Sequence, residues 1–449
     1  MKKSKIVVSF FTFLTMSAFS QTKKWTLEEC VNHAIVNNNA IQQSLLDVKT
    51  INLAKNDAIG NFLPSLNANA GHSWNMGLSN DPLTGVKTNQ TTESSNFGAS
   101  LNLDLYKGLQ NVNQFRKANL NKIAAQYQLT KIQEDVTLNV VNGFLQILFN
   151  KENLKAQKEQ LAFDNKQLQR TTELVNAGVV PKGDLLDVKA TIATDEQRIV
   201  STENALLLTK LSLAQLLQLR DYEIFDIVDT DNDVTKSTVL SESVQSIIAK
   251  AKLNRTEIKL AEVNKTLAQS DIAIAKGAYQ PRLSFFYGLG TSILHRNTLI
   301  PKNLIPSFEN QFKDNIGHSI GLQLSIPILN GLTVRNSVSR AKIAFQKSKL
   351  NFEQKELDLE RTIYTAYSDT QGAEKAYATA TATLEARQKA MQYAKERYDV
   401  GLMNVFDYNQ AQTLYVSAQS EVLRTKFDYI FRTKILEFYF GIPIAQKLK

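Results

Sequence analysis

The chain has 449 residues, a formal net charge of +9, 8 Pro and a single Cys. One cysteine excludes an intramolecular disulfide, so Cys30 reads as a small helix-packing residue. The positive charge is spread along the chain with no basic patch among aromatics, which excludes a nucleic-acid surface.

The N-terminus reads as a secretory leader over residues 1–20. Lys2, Lys3 and Lys5 precede an apolar run from Ile6 to Phe19, and Ala18 and Ser20 set a cleavage site. Beyond it no stretch is apolar for long enough to cross a bilayer as a helix. A membrane span therefore requires a β-barrel.

The first helix is expected over 26–60, where Leu27, Ala34, Ile41 and Val48 recur every seven residues. Gly60 stops it and Pro64 forces extended backbone. Strands follow at 64–74 and 97–106, joined by a loop over 75–96. In the second strand Phe97, Ala99, Leu101, Leu103 and Leu105 alternate with small or polar residues, a length that crosses a bilayer when tilted. Gly108 then leads into a helix over 109–177, roughly 100 Å long at 1.5 Å per residue. Gly178 ends it, and a helix returns over 184–219. Residues 220–240 form an Asp-rich, aperiodic linker.

The chain then repeats itself. Residues 108–217 map without a gap onto 331–440. Leu154, Leu161, Leu168 and Val175 fall on Tyr377, Leu384, Met391 and Tyr398. Leu185, Ile192, Ile199, Leu206 and Leu213 fall on Tyr408, Tyr415, Val422, Tyr429 and Leu436. These heptads mark coiled-coil helices in two equivalent halves. The second copy has a helix over 241–277, the Gly277 and Pro281 punctuation, and strands at 281–290 and 319–328 around a loop at 291–318. A helix over 332–400, Gly401 and a return helix over 407–440 complete it. The expected organisation is a first repeat over 21–219, the linker 220–240, a second repeat over 241–440 and a tail over 441–449.

Four strands cannot close a barrel, and an open edge is not tolerated in lipid. A trimer would make a 12-stranded barrel (3 × 4), within the known range. The expected fold class is thus an α+β membrane protein. Each chain gives four strands to a trimeric outer-membrane β-barrel continued by a long helical coiled-coil barrel in the periplasm.

Several junctions carry a family resemblance. They are the Gly-x-x-x-Pro transitions, Ile326-Pro327-Ile328-Leu329-Asn330-Gly331, and Arg397-Tyr398-Asp399-Val400-Gly401-Leu402 with Asp407 six beyond the glycine. With the duplication, they resemble the TolC family of outer-membrane efflux proteins over essentially the whole mature chain. The resemblance implies a homotrimeric channel-tunnel in outer-membrane lipid. It would dock with a periplasmic adaptor (membrane fusion) protein and an inner-membrane pump of RND or ABC type. The function implied is the passive exit duct of a tripartite efflux pump or type I secretion system. A pore-less periplasmic coiled-coil scaffold and a porin without a pump partner are the alternatives.

The resemblance also implies site residues. Ala177, Gly178, Val179, Val400, Gly401 and Leu402 match the periplasmic tip that meets the adaptor. Tyr398 and Asp184 match the gate. The family's arginine and acidic constriction are Met403 and Gln410 here, and Asp187 offers a substitute acidic position. Asp184 and Asp407 also begin helices, where a carboxylate caps free N–H groups. Tyr398 lies on the heptad seam, where packing alone accounts for it, and Asp187 fits a solvated face.

No enzyme chemistry is expected. His33, His72, His295 and His318 are scattered, and no Cys/His set has metal-ligand spacing. Gly288-Leu289-Gly290 lies in a strand and is no nucleotide turn. No catalytic residue, cofactor or metal is assigned, and energy must come from the inner-membrane partner.

Overall fold

A computed structural model describes residues 24–80, 85–220, 222–229, 238–296 and 306–442. The expected leader lies outside the described residues, as do 230–237 of the linker and 443–449 of the tail. The chain folds as two compact units, each drawing on both sequence halves. One takes residues up to Asn39, Glu134–Ser243 and everything from Thr365. The other takes Ala40–Gln133 and Val244–Tyr364.

The second unit contains a four-stranded antiparallel sheet of β2 (Ser65–Asn80), β3 (Lys87–Lys107), β5 (Arg282–Arg296) and β6 (Gly317–Ser325), in that order. Its register sorts the side chains by chemistry. On one face Leu66, Leu101, Tyr287 and Ile320 line up across the strands, with Ala68, Ala99, Leu289 and, at the strand end, His318 in the next row. The other face is mostly polar or small, with Asn69, Gly98 and Gly290 in one row and Ser100, Gly288 and Ser319 in the next, and Phe286 between Asn102 and Gly321 as its large apolar member. Leu66, Ile320, Leu322 and Leu324 are largely exposed in the chain. One apolar face and one polar, small-residue face is the pattern of a barrel with lipid outside and water inside.

β2, β3 and β5 outrun the expected strands, whereas β6 ends at Ser325, short of the expected end at 328. The segment Thr91–Asn96, expected as loop, pairs with β2, and from Thr92 onward with β5 as well. It has no apolar period because both its faces are polar there, so alternation could not reveal it. Ser73 and Ser94 hydroxyls bond at 2.7 Å and His72 bonds Ser95 at 2.8 Å. Helix α7 (Phe308–Asp314) lies in the other expected loop. It caps the edge of β5 above the end of β6: Gln311 Oε1 accepts from the Leu294 N–H at 2.9 Å, and Asn315 Nδ2 donates to the Ser292 carbonyl.

Helices α3 (Gln110–Asn176) and α8 (Thr333–Asp399) supply residues to both units. Each follows a Gly-Leu pair in left-handed backbone, Gly108-Leu109 and Gly331-Leu332. The helix expected over 26–60 is two, α1 (Leu27–Asn37) and α2 (Asn39–Gly60), and that over 241–277 is also two, α5 (Val244–Asn254) and α6 (Thr256–Gly277). The heptad runs through both breaks, so periodicity alone misses them. Asn38 turns extended, and its Nδ2 donates to the Leu216 carbonyl at 3.0 Å. That carbonyl is one the end of a helix leaves unpaired.

In the first unit α4 (Lys182–Leu216) and α9 (Val405–Phe440) return from the tips and bury Ile192, Ile199, Leu213, Tyr408, Tyr429 and Leu436, all on the expected seam. A capping box opens α1: Thr26 Oγ1 accepts from the Glu29 N–H, and Glu29 Oε2 from the Thr26 N–H. Cys30 is fully buried in α1. Within the linker β4 (Asp226–Ile227) pairs in parallel with β1 (Lys24–Trp25). Lys151 and Lys210 both reach Asp226, at 2.9 and 2.8 Å. Burial raises the Asp226 carboxyl, but the two ammonium groups outweigh it and hold it below the usual range.

Candidate functional site at the hairpin tips

Both helical hairpins close by the same backbone device. Gly178 and Gly401 sit in left-handed conformation, with φ of 73° and 76°. The Val179 N–H bonds the Leu174 carbonyl at 2.9 Å, and the Leu402 N–H bonds the Arg397 carbonyl at 2.8 Å. These six-to-one bonds are Schellman closures, which need glycine at the turning residue. They leave Val179, Val400 and Leu402 about two-thirds exposed or more, at 67%, 69% and 71%. Each tip thus offers apolar side chains to solvent beside an exposed Gly178 or Gly401, and Ala177 is exposed beside them.

Behind the tips lies a small core. Val188, Ile192 and Val405 are buried together, with Leu161, Leu168 and Tyr398 packed on them. The Tyr398 ring stacks on Tyr408, centroids 4.7 Å apart and planes at 17°. Burial, and then the Asp399 carboxylate, push the Tyr408 phenol up, so it stays neutral. The Tyr398 hydroxyl is buried and has no partner among the described residues. Tyr398 and Asp184 are therefore not hydrogen-bonded within the chain.

The helix-start carboxylates differ from one another. The N-cap of α4 is Pro181, with no side-chain cap bond, and Asp184 sits in the first turn, where the helix dipole favours a carboxylate. Asn404 caps α9. Its Oδ1 accepts from the Asp407 N–H at 2.8 Å, and its Nδ2 donates to the Asp407 carboxylate at 2.9 Å. Capping falls to Asn404, and Asp407 completes a reciprocal pair with it. Asp187 and Gln410 are exposed, and Met403 is half-buried.

Three features of the hairpins escape the heptad reading. Arg170, near the end of α3, pairs with Asp399, the last residue of α8. The seam between α3 and α4 also carries polar rungs at heptad spacing. Asn150 Nδ2 donates to Thr209 Oγ1 at 3.0 Å, and Thr202 Oγ1 donates to Gln157 Oε1 at 3.0 Å. On the next rung Asp164 and Asp195, both buried, share a hydrogen bond. The Gln160 and Gln412 amides donate to Asp164, and Arg198 donates to Asp195 at 3.2 Å. Burial and then Asp195 drive the Asp164 carboxyl up to about 7, against the two amides. The second copy has Ala373, Ala380, Arg387 and Ala394 in place of Asn150, Gln157, Asp164 and Thr171. Three of these four positions are buried alanines and Arg387 is exposed, so the second hairpin lacks the polar rungs of the first. The signal was present as a second, polar heptad, which a search for apolar residues passes over.

Residues 30–218 and 247–430 match the model of the outer membrane efflux protein family. The chain belongs to that family. Relatives include the outer membrane protein TolC of Salmonella enteritidis, 21% identical over 97% of this chain and 86% of that protein. The cation efflux system protein CusC of Escherichia coli (strain K12) is 24% identical over 87% of this chain and 81% of its own length. The fold is that of the Campylobacter jejuni CmeC outer membrane channel, with a TM-score of 0.80 at 18% identity, over 92% of this chain and 85% of that one. As an outer membrane efflux protein the chain is an outer-membrane duct and not an enzyme. Among the described residues no helix is long and apolar enough to cross the membrane, and the amphipathic sheet is the element suited to that role.

Proposed function

We propose that three copies of the chain close a 12-stranded barrel (3 × 4) in the outer membrane, and that its helical tips dock a periplasmic adaptor coupled to an inner-membrane pump. The observation that carries this is the sheet itself. It has four strands, an apolar face, a polar face and two open edges, β2 and β6. Open edges are untenable in hydrocarbon, so other copies must pair with them. The polar face lines a water-filled lumen and lets solutes pass without a binding site. The cargo is set upstream, by the pump. The exposed apolar residues at the tips, Val179, Val400 and Leu402, support adaptor docking there, since small apolar patches beside a rigid turn suit helix-tip contacts. Asp184, Asp187, Tyr398 and Asp407 are the residues proposed to set the tip aperture.

The test is export in cells with the channel gene replaced by variants. Val179→Asp with Leu402→Asp should abolish export while detergent-purified trimers and single-channel conductance stay intact. Unchanged export would overturn docking through the tips. Loss of trimers and conductance in the unaltered protein would overturn the channel.

A further inference from the structure

The chain makes one close backbone crossing and leaves its counterpart open. Gly108, at the junction of β3 and α3, meets Gly277 at the end of α6. A Cβ built on either would overlap the carbonyl oxygen of the other. Beside this crossing β3 pairs with β5. The duplication carries Gly108 onto Gly331 and Gly277 onto Gly60, and both positions are glycine again. Yet a Cβ on Gly331 or Gly60 would meet nothing within 4 Å. Gly331 has a reason of its own in its φ of 57°. Gly60 has none, because its backbone is ordinary helix and the space around it is open. Glycine there weakens the end of α2 for no gain inside the chain.

The strands show the same vacancy. β6 stops at Ser325 because its partner β5 begins at Arg282, opposite it. Beyond that point Ile328 and Leu329 are 85% and 96% exposed, and on the other sheet edge Leu66 is 70% exposed.

We infer that Gly60 of one copy crosses Gly331 of the next, and that β2 and β6 pair between copies in the register that β5 and β3 adopt within one. The register is fixed by transferring observed pairs. Asn102 opposite Phe286 becomes Ser325 opposite Asn69, and Ser100 opposite Gly288 becomes Gln323 opposite Gly71. Past the bulge, Tyr106 opposite Leu283 becomes Leu329 opposite Leu66, which buries the two leucines against each other. The seam rests on the trimer proposed above and adds its register and the role of Gly60. One protomer thus contains the template for its own interface.

Disulfide trapping tests the register, since cross-strand cysteines bond only when their Cα atoms lie close enough. In full-length protein carrying Cys30→Ala, Asn69→Cys with Ser325→Cys should give covalent trimers on a denaturing, non-reducing gel. Asn69→Cys with Gln323→Cys, out of step by two residues, should not. The native mass in detergent is measured on the same samples. A trimer that crosslinks in the second pair, or in neither, overturns the seam alone; a monomer overturns the trimer and the seam together. Gly60→Ala gives a second reading. Alanine favours helix, so α2 keeps its far-UV signal, while the crossing loses its clearance and heat-resistant trimers are lost. Trimers as robust as the parent's would overturn the glycine crossing.

Discussion

Replacing Asp164 by Asn should make the protein more stable at neutral pH and flatten its pH dependence. Asp164 is 3% exposed and Asp195 7% exposed, and the two carboxyls face each other across α3 and α4. Gln160 and Gln412 bind Asp164, and Arg198 binds Asp195. The folded chain holds the Asp164 proton up to about pH 7, while an unfolded carboxyl releases it near 3.8. Between these values the native state binds more protons than the unfolded state. This stabilising contribution is full below about pH 4 and is lost as pH rises through about 7. The gap corresponds to roughly 2–4 kcal/mol once solvent reaching the adjoining groove is allowed for. That groove, about 230 Å³, is lined by Thr191, Thr194, Asp195 and Gln412. Asn mimics the protonated acid, keeping an acceptor for the glutamines and a donor for Asp195. Thermal unfolding of the detergent-purified protein, followed by circular dichroism at pH 5.5 and 8, reads the effect. Relative to the variant, the parent should fall several degrees short at pH 8 and about half as far short at pH 5.5. A variant with the parent's pH slope, or one less stable at both values, would refute the shared-proton pair.

Other changes read other contacts. Arg170→Ala should shift stability by less than about 1 kcal/mol, as an exposed pair does, but raise single-channel conductance if the Arg170–Asp399 pair restrains the tip; unchanged conductance would remove it from gating. Tyr398→Phe deletes a hydroxyl with no partner among the described residues. Equal conductance would confine Tyr398 to packing, and a rise would mean that another copy supplies its partner. Asp226→Asn should cost about 1–3 kcal/mol at pH 7, since it leaves Lys151 and Lys210 half-satisfied. Because the Asp226 carboxyl is held low in the fold, its contribution stands above about pH 4 and fades as pH falls further. Below about pH 4 the parent should therefore lose stability more steeply than the variant, the two converging in acid; superimposable acid limbs would count against it.

Periodicity in the sequence carried the long helices, the return helices and the duplication, because each buries an apolar heptad such as Ile192, Ile199 and Leu213. It carried the strand segments with one apolar face, 97–106 and the 319–325 part of the strand expected over 319–328. It could not carry Thr91–Asn96, where a ladder is held by backbone bonds with polar groups on both faces. Nor could it reveal the breaks at Asn38 and Arg255, through which the heptad continues. At the tips, Gly178 and Gly401 were legible because left-handed turns demand glycine. The buried Asp164 was not, since a lone acid in a helix ordinarily faces water. Its neighbours Gln412 and Asp195 are far away in sequence and meet it only when α4 and α9 pack on α3. The leader, the adaptor and the pump are matters of sequence and family alone.

The most direct test of the central claim is projection imaging of the detergent-purified protein as single particles. Three-fold particles with a barrel end and a helical tube roughly 100 Å long, as 67-residue helices at 1.5 Å per residue require, are expected. Monomers, or helical bundles with no barrel end, would contradict the channel.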